Sequence, residues 1–277
     1  MEDLRSILAK HGFSFKKQFG QNFISDTNLL KRIVALAEVT KEDTVIEIGC
    51  GAGTLTREIS AAAGKVYAFE IDKNLQPVLA ETLSGCDNTE VIFRDFLKCN
   101  LAEFEDGLKD YVVIANLPYY ITTPLIMRFV EESQKVKRLV VMVQEEVAER
   151  FCAAENTPEY GAVTAAIARR ADTKIVAKVD KSMFMPRPQV DSAVVRMDFV
   201  PDKIPVRSAR AYRETVRCAF LSRRKTLENN LVNAFGWSRE QAKEVMQRAG
   251  LPEKVRGETL SPQTLAALSD IICEYID

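Results

Sequence analysis

From Thr44 to about Val200, short apolar runs alternate with segments whose apolar residues recur every three or four positions. Val45–Ile48, Val66–Ile71, Val91–Phe93, Val112–Ile114 and Leu139–Val143 read as buried strands. Gly53–Ala63, Leu75–Leu83 and Thr123–Ser133 read as the helices between them. Strands alternating with helices predict a mostly parallel sheet covered on both faces. Thr173–Val179 and Ala193–Phe199 are strand-like with no helix between them, which predicts an antiparallel hairpin closing one edge. The link from Met183 to Asp191 carries two prolines and is expected to be an ordered loop. Pro201–Pro205 reads as a hinge. Beyond it the period is helical throughout: Ala209–Phe220, Arg224–Phe235, Arg239–Ala249 and Pro262–Tyr275, with Gly236 and Gly250 at helix ends. The expected organisation is a Rossmann-like α/β domain over residues 1–200, followed by a small all-α domain over residues 201–277.

Composition sharpens this picture in two respects. The net charge of −1 conceals an asymmetry: residues 1–180 hold 22 Lys/Arg against 27 Asp/Glu, residues 181–277 hold 16 against 12. A positive excess confined to one part suits a nucleic-acid-facing surface, although two ordinary solvated surfaces would give the same count. Six scattered cysteines without a CxxC pair, and a single histidine (His11), argue against a structural zinc site or a histidine-based triad. No signal-peptide profile and no membrane-length apolar run is present, so the expected location is the cytoplasm.

Two stretches carry chemistry. Glu47-Ile48-Gly49-Cys50-Gly51-Ala52-Gly53 lies at a strand-to-helix turn, where glycines let backbone approach a ligand. The G-x-G-x-G spacing favours S-adenosylmethionine over a dinucleotide, for which G-x-G-x-x-G is usual. Glu70-Ile71, ending the next strand, can accept hydrogen bonds from ribose hydroxyls. Asp95, followed by Phe96 after the third strand, is placed for the donor's adenine amine; a simple helix cap is the alternative for it. The second stretch is Asn116-Leu117-Pro118-Tyr119. The Asn116 side-chain oxygen and the Leu117 carbonyl form two acceptors that match the N–H bonds of an exocyclic amine. Tyr119 supplies a flat face for a nucleobase, and Phe184 is expected to complete a sandwich, a core aromatic being its alternative. This arrangement suits methylation of an adenine at N6, with the base unstacked to reach the pocket.

Taken with Lys17-Gln18-Phe19-Gly20-Gln21-Asn22-Phe23, Phe184-x-Pro186-x-Pro188-x-Val190-Asp191-Ser192 and Phe220 to Leu231, these motifs make the chain resemble the bacterial small-subunit ribosomal RNA adenine N6,N6-dimethyltransferases over nearly its whole length. The resemblance implies dimethylation of two adjacent adenosines in a hairpin loop near the 3′ end of small-subunit rRNA, late in subunit assembly. It implies S-adenosylmethionine as donor and the small ribosomal subunit as partner; no membrane association and a monomer are expected. It also implies that Asn22 and Ile24 line the donor pocket with Gly49, Glu70, Asp95 and Asn116; Gly51, from the same turn, is expected there too. Most relatives have Leu at position 24, and a backbone contact would survive that difference.

The candidate RNA surface comprises Lys16 and Lys17 beside the donor site, then Arg207, Arg210, Arg213 and Arg217, which share about 120° of one helical face at 100° per residue, and Arg223, Arg224 and Lys225. Glu214 is the only acid between residues 207 and 225. A solvated face with internal salt bridges is the competing reading. Competing functions are a large-subunit rRNA methyltransferase of the antibiotic-resistance type, a DNA adenine methyltransferase, a non-catalytic assembly factor that retains the fold, and an NAD oxidoreductase.

Overall fold

The computed structural model describes residues 4–16, 20–24 and 26–276. The chain forms two compact units, one of Met1–Ala148 with Lys174–Phe199, the other of Glu149–Thr173 with Val200–Asp277. One junction between the units lies at Phe199/Val200, and Pro201–Pro205 belongs to the second unit. Glu149–Thr173, counted with the first domain by contiguity, instead packs with the second.

The strands are β1 (Phe23–Ile24), β2 (Thr44–Ile48), β3 (Lys65–Glu70), β4 (Thr89–Phe93), β5 (Tyr111–Asn116), β6 (Val136–Gln144), β7 (Ala171–Val179), β8 (Phe184–Met185) and β9 (Ser192–Phe199). Seven form one sheet in the order β4-β3-β2-β5-β6-β9-β7. The run from β4 to β6 is parallel, and β9 lies antiparallel against β6, pairing Gln144 with Ser192. This is the expected mostly parallel sheet with an antiparallel edge. The link between β7 and β9 is not only a loop: β8 pairs antiparallel with β1 in a separate two-stranded ladder, Ile24 opposite Phe184.

Helices of the first unit are α1 (Leu4–Lys10), α2 (Thr27–Ala37), α3 (Thr54–Ala62), α4 (Gln76–Thr82), α5 (Leu101–Glu105) and α6 (Thr122–Glu132). β2 and β5 are apolar apart from Thr44, Glu47 and the terminal Asn116, because both faces are covered: Val45, Ile46, Val113 and Ile114 are inaccessible to solvent. β2 is flanked by β3 on one side and β5 on the other, so the chain reverses its direction of travel across the sheet between them. A crevice opens at the carboxyl ends of strands at such a switch point.

α7 (Glu145–Phe151) runs across the junction at Ala148. The second unit contains α8 (Ala162–Arg170), α9 (Ala209–Ala219), α10 (Leu227–Phe235), α11 (Arg239–Arg248) and α12 (Pro262–Ile276). Its core joins Tyr160, Tyr212, Leu227, Leu231, Val245, Leu265 and Leu268. Two buried hydroxyls bind the early segment into it: Tyr160 donates to the Leu260 carbonyl and Tyr212 to that of Ala165, each at 2.9 Å. Ser208, Thr226 and Ser238 cap α9, α10 and α11, accepting the amide three residues on. Gly236 ends α10 at φ +69°, where a glycine escapes the strain a side chain would suffer. Trp237 packs between Phe235 and Tyr275, with centroids 4.7 and 5.3 Å away.

Candidate active site

The crevice at the switch point is open to solvent, and the space within and at its mouth comes to about 800 Å³. Its floor is the turn after β2. Gly49 and Gly51 take φ +76° and +56° there, so backbone faces the crevice without a side chain in the way. A Cβ on Gly51 would come within 2.8 Å of the Phe23 ring; one on Gly49 would lean towards Pro118 at 3.7 Å. Glu70 closes one wall. Its Oε2 accepts the Gly51 amide at 2.8 Å, and its Oε1 accepts the amides of Ile71 and Asp72, each at 2.8 Å. Burial pushes this carboxyl above its ordinary pKa, against the pull of those three amides. A carboxylate has about four acceptor positions, so capacity remains for a ligand hydroxyl. Asp95 lines the crevice and also caps the turn that follows, accepting the Leu97 amide at 3.0 Å. The cap is thus formed, and Asp95 stands in the crevice wall as well. Ile71 is half-exposed on the rim, and Phe96 is buried edge-on against Phe69.

At the end of β5, the side-chain nitrogen of Asn116 donates to the Asn22 carbonyl at 2.8 Å. That bond fixes the amide's orientation and leaves Oδ1 as its uncommitted acceptor among the described residues. The Leu117 amide donates to Met142 at 3.2 Å, while no described group donates to the Leu117 carbonyl. Pro118 and Tyr119 continue the wall, and the Tyr119 hydroxyl lies 3.2 Å from that of Ser192. The structure thus brings Asn22, Gly49, Gly51, Glu70, Ile71, Asp95, Phe96, Asn116, Leu117, Pro118 and Tyr119 to one crevice.

Three expected residues stand elsewhere. Ile24 turns its side chain into the hydrophobic core, and its carbonyl is taken by the Thr54 hydroxyl at 3.0 Å. Phe184, 6% exposed, occupies the same core beside it rather than the crevice; the ladder between β1 and β8 buries both. Lys16 is spent on Asp72, its ammonium 2.9 Å from a carboxylate that is 2% exposed. The Lys16 amide and the Asp72 carboxylate also engage the Gln21 side chain, stitching the N-terminal segment to the end of β3. Lys17 lies outside the described residues.

On the second unit, Arg207 precedes the first residue of α9 and pairs with Glu274 at 3.4 Å. Arg213 and Arg217 share Glu214, at 3.7 and 3.2 Å, and Arg210 is exposed. Arg223 is built into its own unit, bonding Glu258 and the carbonyls of Thr157 and Pro158. Internal salt bridges thus offset part of the basic face. Arg224 and Lys225 are exposed and their side chains bond no described group.

Sequence reasoning missed several crevice residues, among them Gly20, Gln21, Phe23, Arg94, Tyr120 and Leu125. Adjacency to Asn22, Asp95 and Tyr119 was the signal available for most of them.

A family model for ribosomal RNA adenine dimethylases matches residues 12–272. The chain belongs to this family. Among curated members, the ribosomal RNA small subunit methyltransferase A of Clostridioides difficile is 45% identical over 97% of this chain and 94% of its own. The protein of the same name from Bacillus licheniformis is 44% identical over 98% and 96%. Of solved structures, a dimethyladenosine transferase from Plasmodium falciparum superposes with a TM-score of 0.77 at 24% identity, covering 89% of this chain and 95% of that one. The 23S rRNA methyltransferase ErmE gives 0.69 at 26% identity, covering 91% and 100%. The fold is therefore the Rossmann-like methyltransferase fold, with a helical unit.

Proposed function

We propose that this protein is an S-adenosylmethionine-dependent rRNA adenine dimethyltransferase. It converts two adjacent adenosines, in a hairpin loop near the 3′ end of small-subunit rRNA, to N6,N6-dimethyladenosine late in subunit assembly. The observation that carries the reading is the pair of acceptors, Asn116 Oδ1 and the Leu117 carbonyl, beside a glycine-floored crevice. The crevice fits the donor: it has side-chain-free backbone at Gly49 and Gly51, acceptors at Glu70 and Asp95, and apolar cover from Ile71 and Phe96. With Asn22 and Asn116, these residues would hold it. When bound, S-adenosylmethionine supplies an electrophilic methyl group.

The chain's own contribution is positioning and electrostatics. The nitrogen of adenine N6 is a poor nucleophile because its lone pair is delocalised into the ring. Hydrogen bonds from that amine to Asn116 and Leu117 favour a pyramidal nitrogen with its lone pair free, and they stabilise the positive charge developing there. No strong base is required, consistent with a chain whose single histidine lies in the N-terminal segment. Tyr119 offers its ring to the unstacked base; stacking of this kind is worth roughly 1–3 kcal/mol per base. Arg224 and Lys225 offer free charge to rRNA phosphates, which position RNA without reading its sequence. No helix among the described residues is long and apolar enough to cross a membrane, and the reading places a monomer in the cytoplasm beside its subunit.

Labelled donor incubated with small subunits lacking the modification should place label on adenine N6, two methyls per residue. Large subunits should take none. Binding to small subunits with no label transferred would instead mark an assembly factor, and label on large-subunit rRNA would mark the function named for ErmE.

A further inference from the structure

Tyr119 and Tyr120 are consecutive and both line the crevice, with different neighbours. Tyr119 turns its hydroxyl to Ser192, 3.2 Å away. Tyr120 lies beside Gly20. A Cβ on Gly20 would sit 3.7 Å from its ring carbons, and burial followed by the charges of Asp95 and Glu70 raises its pKa. The ring lines the crevice but remains 57% exposed. Its hydroxyl bonds no described group. Ile71, 41% exposed, lines the rim next to Glu70. A ring of this size that fills no core and satisfies no polar group is unexplained by packing. Beside two carboxylates assigned to a nucleoside, a flat exposed ring with an aliphatic neighbour is suited to cover a purine or ribose face.

We propose that Tyr120 is a positioning residue, a cover over the nucleoside end of the donor crevice whose partner is an adenosine-bearing thioether or sulfonium. The proposal rests on the reading that this crevice takes S-adenosylmethionine. It adds a consequence for dimethylation. Spent donor must leave and fresh donor enter between two transfers to one adenine, so the cover sets how long each donor stays.

The test is calorimetric binding of S-adenosylhomocysteine to the full chain and to Tyr120→Ala, Tyr120→Phe and Tyr120→Leu, with thermal melting of each. The Ala variant should bind about tenfold more weakly and release ligand faster. Phe, which keeps the ring, should match the parent. Leu, which keeps bulk without a π face, should fall on the side of Ala and decides the case if Ala melts early. Equal affinity in parent, Ala and Leu would overturn the cover while leaving the donor reading intact. A Phe variant as weak as Ala would overturn it too, by assigning the role to the hydroxyl. A parent chain that binds no S-adenosylhomocysteine would remove the donor reading and the cover with it.

Discussion

Glu47 sits in β2 two residues before Gly49, 2% exposed, and its Oε2 has no hydrogen-bond partner among the described residues. Loss of hydration pushes its carboxyl up to about 8, with the charge of Glu70 acting the same way. The neighbouring Thr56 hydroxyl pulls the other way by more than Glu70 pushes, without offsetting the burial. At neutral pH the group is therefore uncharged in the folded protein, whereas an unfolded chain ionises it near 4.5. Between those values the native state holds the extra proton, so stability falls as pH rises. The contribution is complete below pH 4.5 and lost through about pH 8. At about 1.4 kcal/mol per unit the whole window is on the order of 5 kcal/mol. Glu47→Gln keeps the shape and removes the titration. In urea unfolding at half-unit steps from pH 5 to 8, the parent's first unit should lose stability relative to Gln by about 1.4 kcal/mol per pH unit. Far-UV circular dichroism is the probe, because Trp237, the only tryptophan, reports the second unit alone. Parallel pH profiles for the two proteins would refute the buried neutral carboxyl.

Three further outcomes are expected. Asn116→Ala should lower kcat by about a hundredfold, in the range found when one charge-stabilising hydrogen-bonding group is removed. Donor affinity should fall only about fivefold, for the lost bond to Asn22, and equal losses by rapid-quench and binding assays would contradict the acceptor role. Gly51→Ala should cost about 1–2 kcal/mol in backbone strain alone and displace the Phe23 ring; an unchanged melting temperature with unchanged donor binding would show that the turn tolerates a side chain. Arg224→Glu with Lys225→Glu should weaken binding to small subunits and reduce the salt dependence by roughly one power of salt per lost phosphate contact, leaving donor affinity intact. Arg223 is left out of that pair because its bonds to Glu258, Thr157 and Pro158 make it structural.

What could be read from the chain was what short-range pattern controls. Apolar runs fixed the strands of the sheet, and the residues that end or follow them, Gly49, Glu70, Asp95 and Asn116, reached the crevice because a parallel sheet gathers strand ends at one edge. Where pairing joins distant segments, the same reasoning misplaced side chains. β1 and β8 are two residues each and about 160 residues apart, too short to leave a periodic signature, yet their ladder decides that Ile24 and Phe184 face the core. Lys16 looked like a free cation because Asp72, which takes its charge, is 56 residues away. Glu149–Thr173 was credited to the wrong unit for a similar reason: its ties are the hydroxyls of Tyr160 and Tyr212, and a helical period says nothing about which core a helix joins.

The N-terminal segment supplies more than a wall to the crevice. An asparagine amide can be turned either way, presenting oxygen or nitrogen, and only one orientation can accept hydrogens from an amine. The Asn22 carbonyl decides between them by taking the Asn116 nitrogen at 2.8 Å. Asn22 is itself held in a segment tied down by Gln21 on Asp72 and by Phe23 packed over the Gly51 backbone. Asp72 lies two residues beyond β3, and Gly51 belongs to the turn after β2. On the proposed reading, the amide that grips the substrate amine is therefore oriented by the same backbone that would hold the donor. Loosening the segment would disturb both ends of the transfer, because a freed amide could turn its nitrogen towards the substrate and repel the amine it should grip.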